Sequence, residues 1–399
     1  MMLVKKILSF FFLIITIVSF FFSVWVIIPT PTYFLLPLGV AAPEISPILL
    51  VINAIALCWV IIQLPNKWLF NTCLICSLLG ITISSLPLIQ FSAANRQFKT
   101  EIEAVLGGDY LAQIPQDIRE KMRSTPFSFK DAIRGIPQAK VRIERDITFA
   151  EPNNVPLKLN SYRPLEAGKY PTLIIIYGGA WRSGSPSQYE QFSRYMAHQG
   201  YSVIVIDYRH APQHHFPTQL EDVTTALQYI YNHAEDLESD VNKIALLGRS
   251  AGGHLASLAA YGQPTIPIKA VVGYYSPINL TQAYYDPPKP DPIGTRKILL
   301  DFIGGEPEEF LDLYQQASPI NYVKNNLPPT LLINGRRDHL VAASYSKTFS
   351  QKLQADNNLV IFLEIPWAEH AFDAVFSGIS NQIALYYTER FIGYLLYGQ

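Results

Sequence analysis

Ile244-Ala245-Leu246-Leu247-Gly248-Arg249-Ser250-Ala251-Gly252-Gly253-His254 is the stretch from which the rest of the chain is read. A short apolar run reads as a buried strand, and the Leu255-Ala256-Ser257-Leu258-Ala259-Ala260 after it reads as a helix. Between them lies Gly248-x-Ser250-x-Gly252, a serine on a tight strand-to-helix turn. Such a turn holds its serine in strained backbone, with the hydroxyl clear of the sheet edge. Gly248 and Gly252 let neighbouring backbone pass without a Cβ clash. The amide of Ala251, at the helix start, is free to donate to a developing oxyanion.

Working outward, the chain of 399 residues has room for a large α/β domain plus an extension. Its formal net charge of -1 gives no reason to expect a nucleic-acid partner. The charge is unevenly placed: up to Phe91 the charged side chains are Lys5, Lys6, Glu44 and Lys67. Three charge-free apolar stretches fall there, at 7–28, 45–64 and 69–91. Each is about 20 residues or slightly more, the length of a helix that crosses hydrocarbon. Trp25, Tyr33, Trp59 and Trp68 lie near stretch ends, as interfacial aromatics do. The first stretch is too long for a cleaved signal peptide, and it ends in Val-Ile-Ile-Pro instead of small residues. The expectation is a membrane anchor over residues 1–92, with Pro65-Asn66-Lys67 turning the second and third stretches into a helical hairpin. With three spans, Lys5, Lys6 and Lys67 share one side, so the positive-inside rule puts the amino terminus in the cytoplasm and the next domain on the extracytoplasmic side. Cys58, Cys73 and Cys76 all lie inside the apolar stretches and read as small packing residues.

Residues 93–140 change character. Phe98, Ile102, Val105 and Leu106 share one helical face, and three X-Pro steps break the remainder of this segment into short pieces. An amphipathic connector or a lid over the site is expected there. Residues 141–399 then alternate strand and helix. Strands are predicted at 141–149, 155–162, 172–177, 202–206, 243–247, 270–274, 330–333 and 359–364. The helices between them include 186–199, 218–232, 344–355 and 379–397, and 277–319 reads as an irregular Pro-rich insertion. This order predicts the α/β class: a mostly parallel sheet with helices on both faces, preceded by the transmembrane segment.

Ligands in such sheets bind outside the carboxyl ends of the strands. Tyr177-Gly178-Gly179, Ser250, Asp338 and His370 all come after predicted strands and so converge on one rim. A serine hydroxyl needs a base to take its proton, and the base needs a carboxylate to fix its tautomer. Ser250, Asp338 and His370 stand in the chain order nucleophile, acid, base. The loop at Gly178-Gly179-Ala180 can supply further oxyanion amides. His254 reads as a packing or hydrogen-bonding residue beneath the turn, and His339 would have to double back to reach Asp338. His210, His214 and His215 have no cysteine or paired carboxylate at ligand spacing beside them, so no metal and no cofactor are expected. Trp181, Tyr284 and Tyr285 are candidates for an apolar pocket wall.

The set Tyr177-Gly178-Gly179-Ala180-Trp181-Arg182-Ser183-Gly184, Asp207-Tyr208-Arg209, Gly248-Arg249-Ser250-Ala251-Gly252-Gly253-His254, Gly335-x-x-Asp338-x-x-Val341 and Glu369-His370-x-Phe372 resembles the α/β-hydrolases. Within them it is similar to the esterases related to hormone-sensitive lipase and prenylcysteine methylesterase. The resemblance covers residues 141–397. It implies carboxylic ester hydrolysis through an acyl-enzyme, with Ser250 as nucleophile, His370 as base then acid, and Asp338 orienting His370. It further implies Gly179, Ala180 and Ala251 as oxyanion donors, with Tyr177 and Gly178 shaping their loop. The family usually carries histidine where this chain has Tyr177. The expected partners are a small-molecule or lipid ester and, through the apolar stretches of residues 1–92 and not through the resemblance, the bilayer. Amide or peptide hydrolysis by the same triad, and a catalytically silent hydrolase scaffold used for binding, are the alternatives.

Overall fold

Strands that are apolar at every position must be covered on both faces, because each face is a row of alternate side chains. The computed structural model describes residues 2–63 and 67–398, so most of the predicted turn at Pro65-Asn66-Lys67 lies outside the described residues. Eight strands form one sheet in the order β1-β2-β4-β3-β5-β6-β7-β8. They are β1 (Arg142–Ala150), β2 (Leu157–Arg163), β3 (Tyr170–Ile176), β4 (Ser202–Ile206), β5 (Ser239–Arg249), β6 (Ala270–Tyr274), β7 (Thr330–Gly335) and β8 (Val360–Ile365). The β1–β2 and β2–β4 pairs are antiparallel and the rest are parallel.

The helices, in chain order, are α1 (Met2–Val24), α2 (Leu36–Glu44), α3 (Ser46–Gln63), α4 (Lys67–Leu106), α5 (Gln116–Lys121), α6 (Phe129–Arg134) and α7 (Glu190–His198). They continue with α8 (Thr218–Asn232), α9 (Ala251–Tyr261), α10 (Leu280–Tyr285), α11 (Thr295–Ile303), α12 (Pro307–Gln316), α13 (Ala343–Ala355) and α14 (Ile379–Tyr397). Side-chain alternation sorts the core into two layers. Leu173, Ile175, Val203, Val205 and Leu247 face α4, α7 and α14. Ile174, Ile176, Ile204, Ile206 and Leu246 face α8, α9, α11 and α13. The chain is therefore an α/β protein with a mostly parallel sheet covered on both faces.

Two sequence expectations are revised. The 277–319 insertion is not irregular: it folds as α10, α11 and α12. The proline at the start of α12 and Gly304 just past α11 suit helix ends, and a Pro-rich reading hides short helices of this kind. Nor does the chain break between residues 92 and 93. The third apolar stretch and the amphipathic segment are one 40-residue helix, α4, with Pro87 inside it. At about 1.5 Å per residue it is roughly 60 Å long, twice the hydrocarbon thickness. Its second half lies on the half of the chain that holds the sheet: Phe98 meets Tyr387 edge-on at 5.6 Å, and Tyr387 donates to Asn95 Oδ1 at 2.7 Å.

The first half of α4 packs with α1 and α3. Asn53 donates to Ser23 Oγ at 3.0 Å, Ser84 donates to the same oxygen at 2.9 Å, and Gly80 lets α4 approach Asn53 closely. Hydrogen bonds of this kind tie helices together where no hydrophobic force acts between them. α1 and α4 are long and apolar enough to cross a bilayer, and a third span is reached if the pair Tyr33–Glu44 and Ser46–Ile62, bent by 78°, counts as one. Ile114, Ile118 and Met122 pack against Tyr394 and Tyr397 of α14, so the segment around α5 rests on that helix.

Candidate active site

Ser250 sits between β5 and α9 with φ 51° and ψ −123°, a conformation few L-residues adopt. The local packing leaves little alternative. A Cβ on Gly252 would lie 2.1 Å from the Ile176 carbonyl oxygen, and one on Gly248 would lie 2.2 Å from that of Gly252. The turn is thus pressed against the end of β3, and the Ser250 amide donates to Tyr274 O at 2.9 Å.

His370 comes after β8 and Asp338 after β7. His370 Nε2 lies 3.0 Å from Ser250 Oγ, and His370 Nδ1 lies 2.8 Å from Asp338 Oδ2. The other carboxylate oxygen, Asp338 Oδ1, accepts the amides of Leu340 at 2.8 Å and Val341 at 2.7 Å. Asp338 and His370 are both buried. Burial pushes the Asp338 carboxyl above the ordinary carboxylate range, and the His370 ring beside it is the first of the influences that pull it back.

The 178–181 loop crosses the mouth of the turn. Gly179 has φ 139°, and a Cβ there would lie 1.9 Å from Ser183 O, so only glycine fits. Ala180 and Trp181 also have positive φ. Among the backbone hydrogen bonds of the described residues, none uses the amides of Gly179, Ala180 or Ala251 as donors. All three residues line the cavity beside Ser250. Tyr177 is buried beneath this loop, donates to the Asp207 carboxylate, lies 2.9 Å from His210 Nε2, and stacks on Tyr208. Burial raises the Tyr177 phenol well above its ordinary value, so it stays a neutral donor.

Three further histidines have settled places. His254 is buried under the turn; Trp181 Nε1 donates to its Nδ1 at 3.2 Å, and its Nε2 donates to Ala317 O at 2.5 Å. Burial pushes it down to about 4, so it is neutral at physiological pH. His339 Nδ1 bonds to Glu369 Oε2, which also accounts for its turning away from Asp338. His215 Nδ1 lies 2.8 Å from Asp301 O.

Several neighbours of the site carry little sequence signal. Arg249, just before Ser250, is buried, donates to Asp373, and lies over the rings of Tyr189 and Phe192 at 4.4 and 4.5 Å. Tyr275 donates to the same carboxylate, and its ring is 4.5 Å from that of His370. A charged residue inside a buried motif is the one hint the sequence offers, since such a charge needs a partner. Glu369, beside His370, accepts the amides of His339 at 2.7 Å and His370 at 3.0 Å.

The cavity over Ser250 encloses about 700 Å³ and its lining is mostly apolar. Trp181 lines it, with Ile278, Leu280, Ile298, Leu299 and Val341. Tyr284 and Tyr285, expected there, do not: Tyr284 packs against Tyr314, and the Tyr285 hydroxyl donates to Glu308 at 2.7 Å. The α10 helix turns Ala283 inward in their place. Among the described residues lining the cavity, none comes from 93–140, whereas Tyr33 and Leu36 do line it.

A mostly parallel eight-stranded sheet, with a serine on a strained strand-to-helix turn at its carboxyl rim, defines the class: this chain has the α/β-hydrolase fold. It is similar to the esterases of the hormone-sensitive-lipase-like and prenylcysteine-methylesterase-like kind. The family model described as BD-FAE matches residues 159–353. The chain is 28% identical to the probable carboxylic ester hydrolase LipM of Mycobacterium tuberculosis, over 77% of this chain and 76% of that protein. That is more of the chain than residues 141–399 can supply, so the match reaches into the amino-terminal part. It is 26% identical to the isoprenylcysteine alpha-carbonyl methylesterase ICME of Arabidopsis thaliana, spanning about half of that protein (53%). A solved bifunctional GH43-CE protein of Bacteroides eggerthii superposes with a TM-score of 0.52 at 26% identity, covering 62% of this chain and 38% of the other. The kinship is with carboxylic ester hydrolases.

Proposed function

We propose that this chain is a membrane-anchored serine hydrolase that cleaves carboxylic esters through an acyl-enzyme. The observation that carries the reading is His370 bridging Ser250 at 3.0 Å and Asp338 at 2.8 Å. With Nδ1–H donated to Asp338, the Nε2 lone pair faces the serine hydroxyl. As Ser250 Oγ attacks the ester carbonyl, His370 takes its proton, and the buried Asp338 offsets the imidazolium charge. The carbonyl oxygen gains negative charge where the amides of Gly179, Ala180 and Ala251 are free to donate. His370 then hands its proton to the leaving alkoxide, and the C–O bond breaks to leave the acyl group on Ser250. Water, deprotonated by His370, then adds to the acyl carbonyl; the bond between the acyl carbon and Ser250 Oγ breaks, His370 returns its proton to Oγ, and the acid leaves. Tyr177, held by Asp207, braces the donor loop in the role the family's histidine usually has.

Kinship favours esters over amides, although the same constellation serves both. A silent binding scaffold would have no use for a base aligned between a serine and a buried carboxylate. For the anchor, residues 1–92 supply the spans, 93–140 a connector resting on α14, and 141–399 the catalytic domain. Lys5, Lys6 and Lys67 favour a cytoplasmic amino terminus and an extracytoplasmic catalytic domain. The full chain in detergent micelles is expected to react with a fluorophosphonate probe, and Ser250→Ala is expected not to. Equal labelling of that variant, or no labelling of the wild type, removes the reading.

A further inference from the structure

Between α1 and α3 the chain does not simply turn back: the 25–44 segment, which includes α2, brings Tyr33 and Leu36 to the cavity beside Ser250. Two contacts pin this loop near its ends. Arg337, the residue before Asp338, donates from its guanidinium to the carbonyls of Val26 and Ile27. At the other end Glu44, itself buried, accepts the Ser380 amide at 2.8 Å. Between the pins, Tyr33 and Leu36 line the same cavity as Ser250 and His370.

The outward side of the loop is apolar. Phe34 is 88% exposed and Tyr33 71%, with Ile27 and Ile28 beside them. No Lys, Arg, Asp or Glu occurs from Ile7 to Pro43. An uncharged, aromatic-tipped segment that follows α1, a helix long and apolar enough to cross a bilayer, matches the composition of a bilayer interface, where aromatic rings sit at headgroup level. A cavity of about 700 Å³, at about 30 Å³ for each water-sized group, holds on the order of twenty non-hydrogen atoms. That is more than the ester of a short acid fills.

We propose that Tyr33 and Leu36 are substrate-positioning residues, and that the mouth they border opens toward the lipid leaflet, so that the ester taken is one bearing a long aliphatic chain drawn from the bilayer. This rests on the serine-hydrolase reading above and adds to it the class of substrate and its route of entry. A chain that passes from leaflet to apolar cavity never crosses water, and the ester carbonyl is then drawn up to Ser250.

The test uses the full chain in phosphatidylcholine nanodiscs, with p-nitrophenyl butyrate in solution and p-nitrophenyl palmitate supplied in phosphatidylcholine vesicles. The readout is the kcat/KM ratio of palmitate to butyrate. In Tyr33→Ala and in Leu36→Ala the ratio is expected to fall at least fivefold. A smaller fall, or a rise, in both variants overturns the proposal. If neither alanine variant folds, Leu36→Val replaces them, and a fall of less than twofold there is equally fatal. Fluorophosphonate labelling separates the two levels. A wild type that labels at Ser250 and cleaves butyrate, with an unchanged ratio in the variants, sinks only the lipid route. A wild type that neither labels nor cleaves sinks the hydrolase reading itself.

Discussion

Along residues 248–254, Ser250 is held by the next turn of its own helix and by the ends of adjoining strands, where a single added methyl group would collide with backbone. The loop at 25–44, on another wall of the same cavity, is held by Arg337 and Ser380, which stand 311 and 336 residues further along the chain than the groups they bind. One wall is built by local backbone geometry and the other by contacts that span most of the chain. The difference separates two tasks. On the function proposed above, the turn at Ser250 governs whether bond cleavage happens at all, and the 25–44 segment governs which esters arrive.

The largest effect tests the elbow wall. Ser250→Ala is expected to lower kcat/KM on p-nitrophenyl butyrate by about 10⁵-fold or more, with His370→Ala of similar severity. His339→Ala and His254→Ala should retain far more activity, because one ring is engaged with Glu369 and the other is buried under the turn. A collapse in His339→Ala as deep as in His370→Ala would break the assignment of the base.

Next in size is Gly252→Ala. Its Cβ would press on Ile176 O at 2.1 Å, so the turn must shift by a sizeable part of an ångström. A loss of roughly 10²-fold in kcat, with about 1–3 kcal/mol of stability, is expected. Because the elbow acts before any chain-length selection, palmitate and butyrate should suffer alike. A change confined to one of them would show that the two walls are not separable.

A smaller effect is expected from Tyr177→Phe, which leaves the Asp207 carboxylate without its phenol donor under the oxyanion loop. The same Asp207 oxygen still accepts the Tyr208 amide at 2.9 Å, so steady-state kinetics should show a fall of only about tenfold, in kcat more than in KM, in line with roughly 1.5 kcal/mol for one hydrogen bond to a charged group. An unaltered kcat would mean that the loop is braced elsewhere.

The smallest effect concerns stability alone, on the side of α14 that meets the connector. Glu389 accepts Arg123 N at 2.7 Å and Tyr195 Oη at 2.8 Å, and burial pushes it up to about 7 despite Arg390. The folded state therefore binds a proton more tightly than the unfolded one between about 4.5 and 7. Stability contributed by this group falls as pH rises through that window, by up to about 1.4 kcal/mol per pH unit. Denaturant midpoints at pH 5.5 and 7.5 should differ less in Glu389→Gln than in the wild type, with butyrate turnover little affected. An equal pH slope in both proteins would exclude Glu389 as the source.

How much of the molecule is readable from its residues alone obeys the same division. The predicted helices 218–232 and 379–397 coincide with α8 and α14, and the eight strands fall on the predicted runs, with ends moved by a few residues. Long periodic segments and buried strands carry their own signal. The three short helices at 280–316 do not, since each is half-covered and flanked by prolines that read equally well as loop. The continuity of α4 was hidden for a related reason. A change from apolar to charged residues marks a change in what the helix packs against, and says nothing about whether the backbone breaks.

By itself the amino-acid sequence determined the class of fold, the strained turn at Ser250 and the strand ends from which Asp338 and His370 project. Those features depend on side-chain periodicity and on where glycine is required, and both are local. The tertiary structure alone decided that Arg249 and Tyr275 share Asp373, that His339 belongs to Glu369, and that Tyr33 and Leu36 complete the cavity. Each of these joins residues far apart in the chain through charge or shape, and no spacing rule connects them until the sheet has brought its ends together.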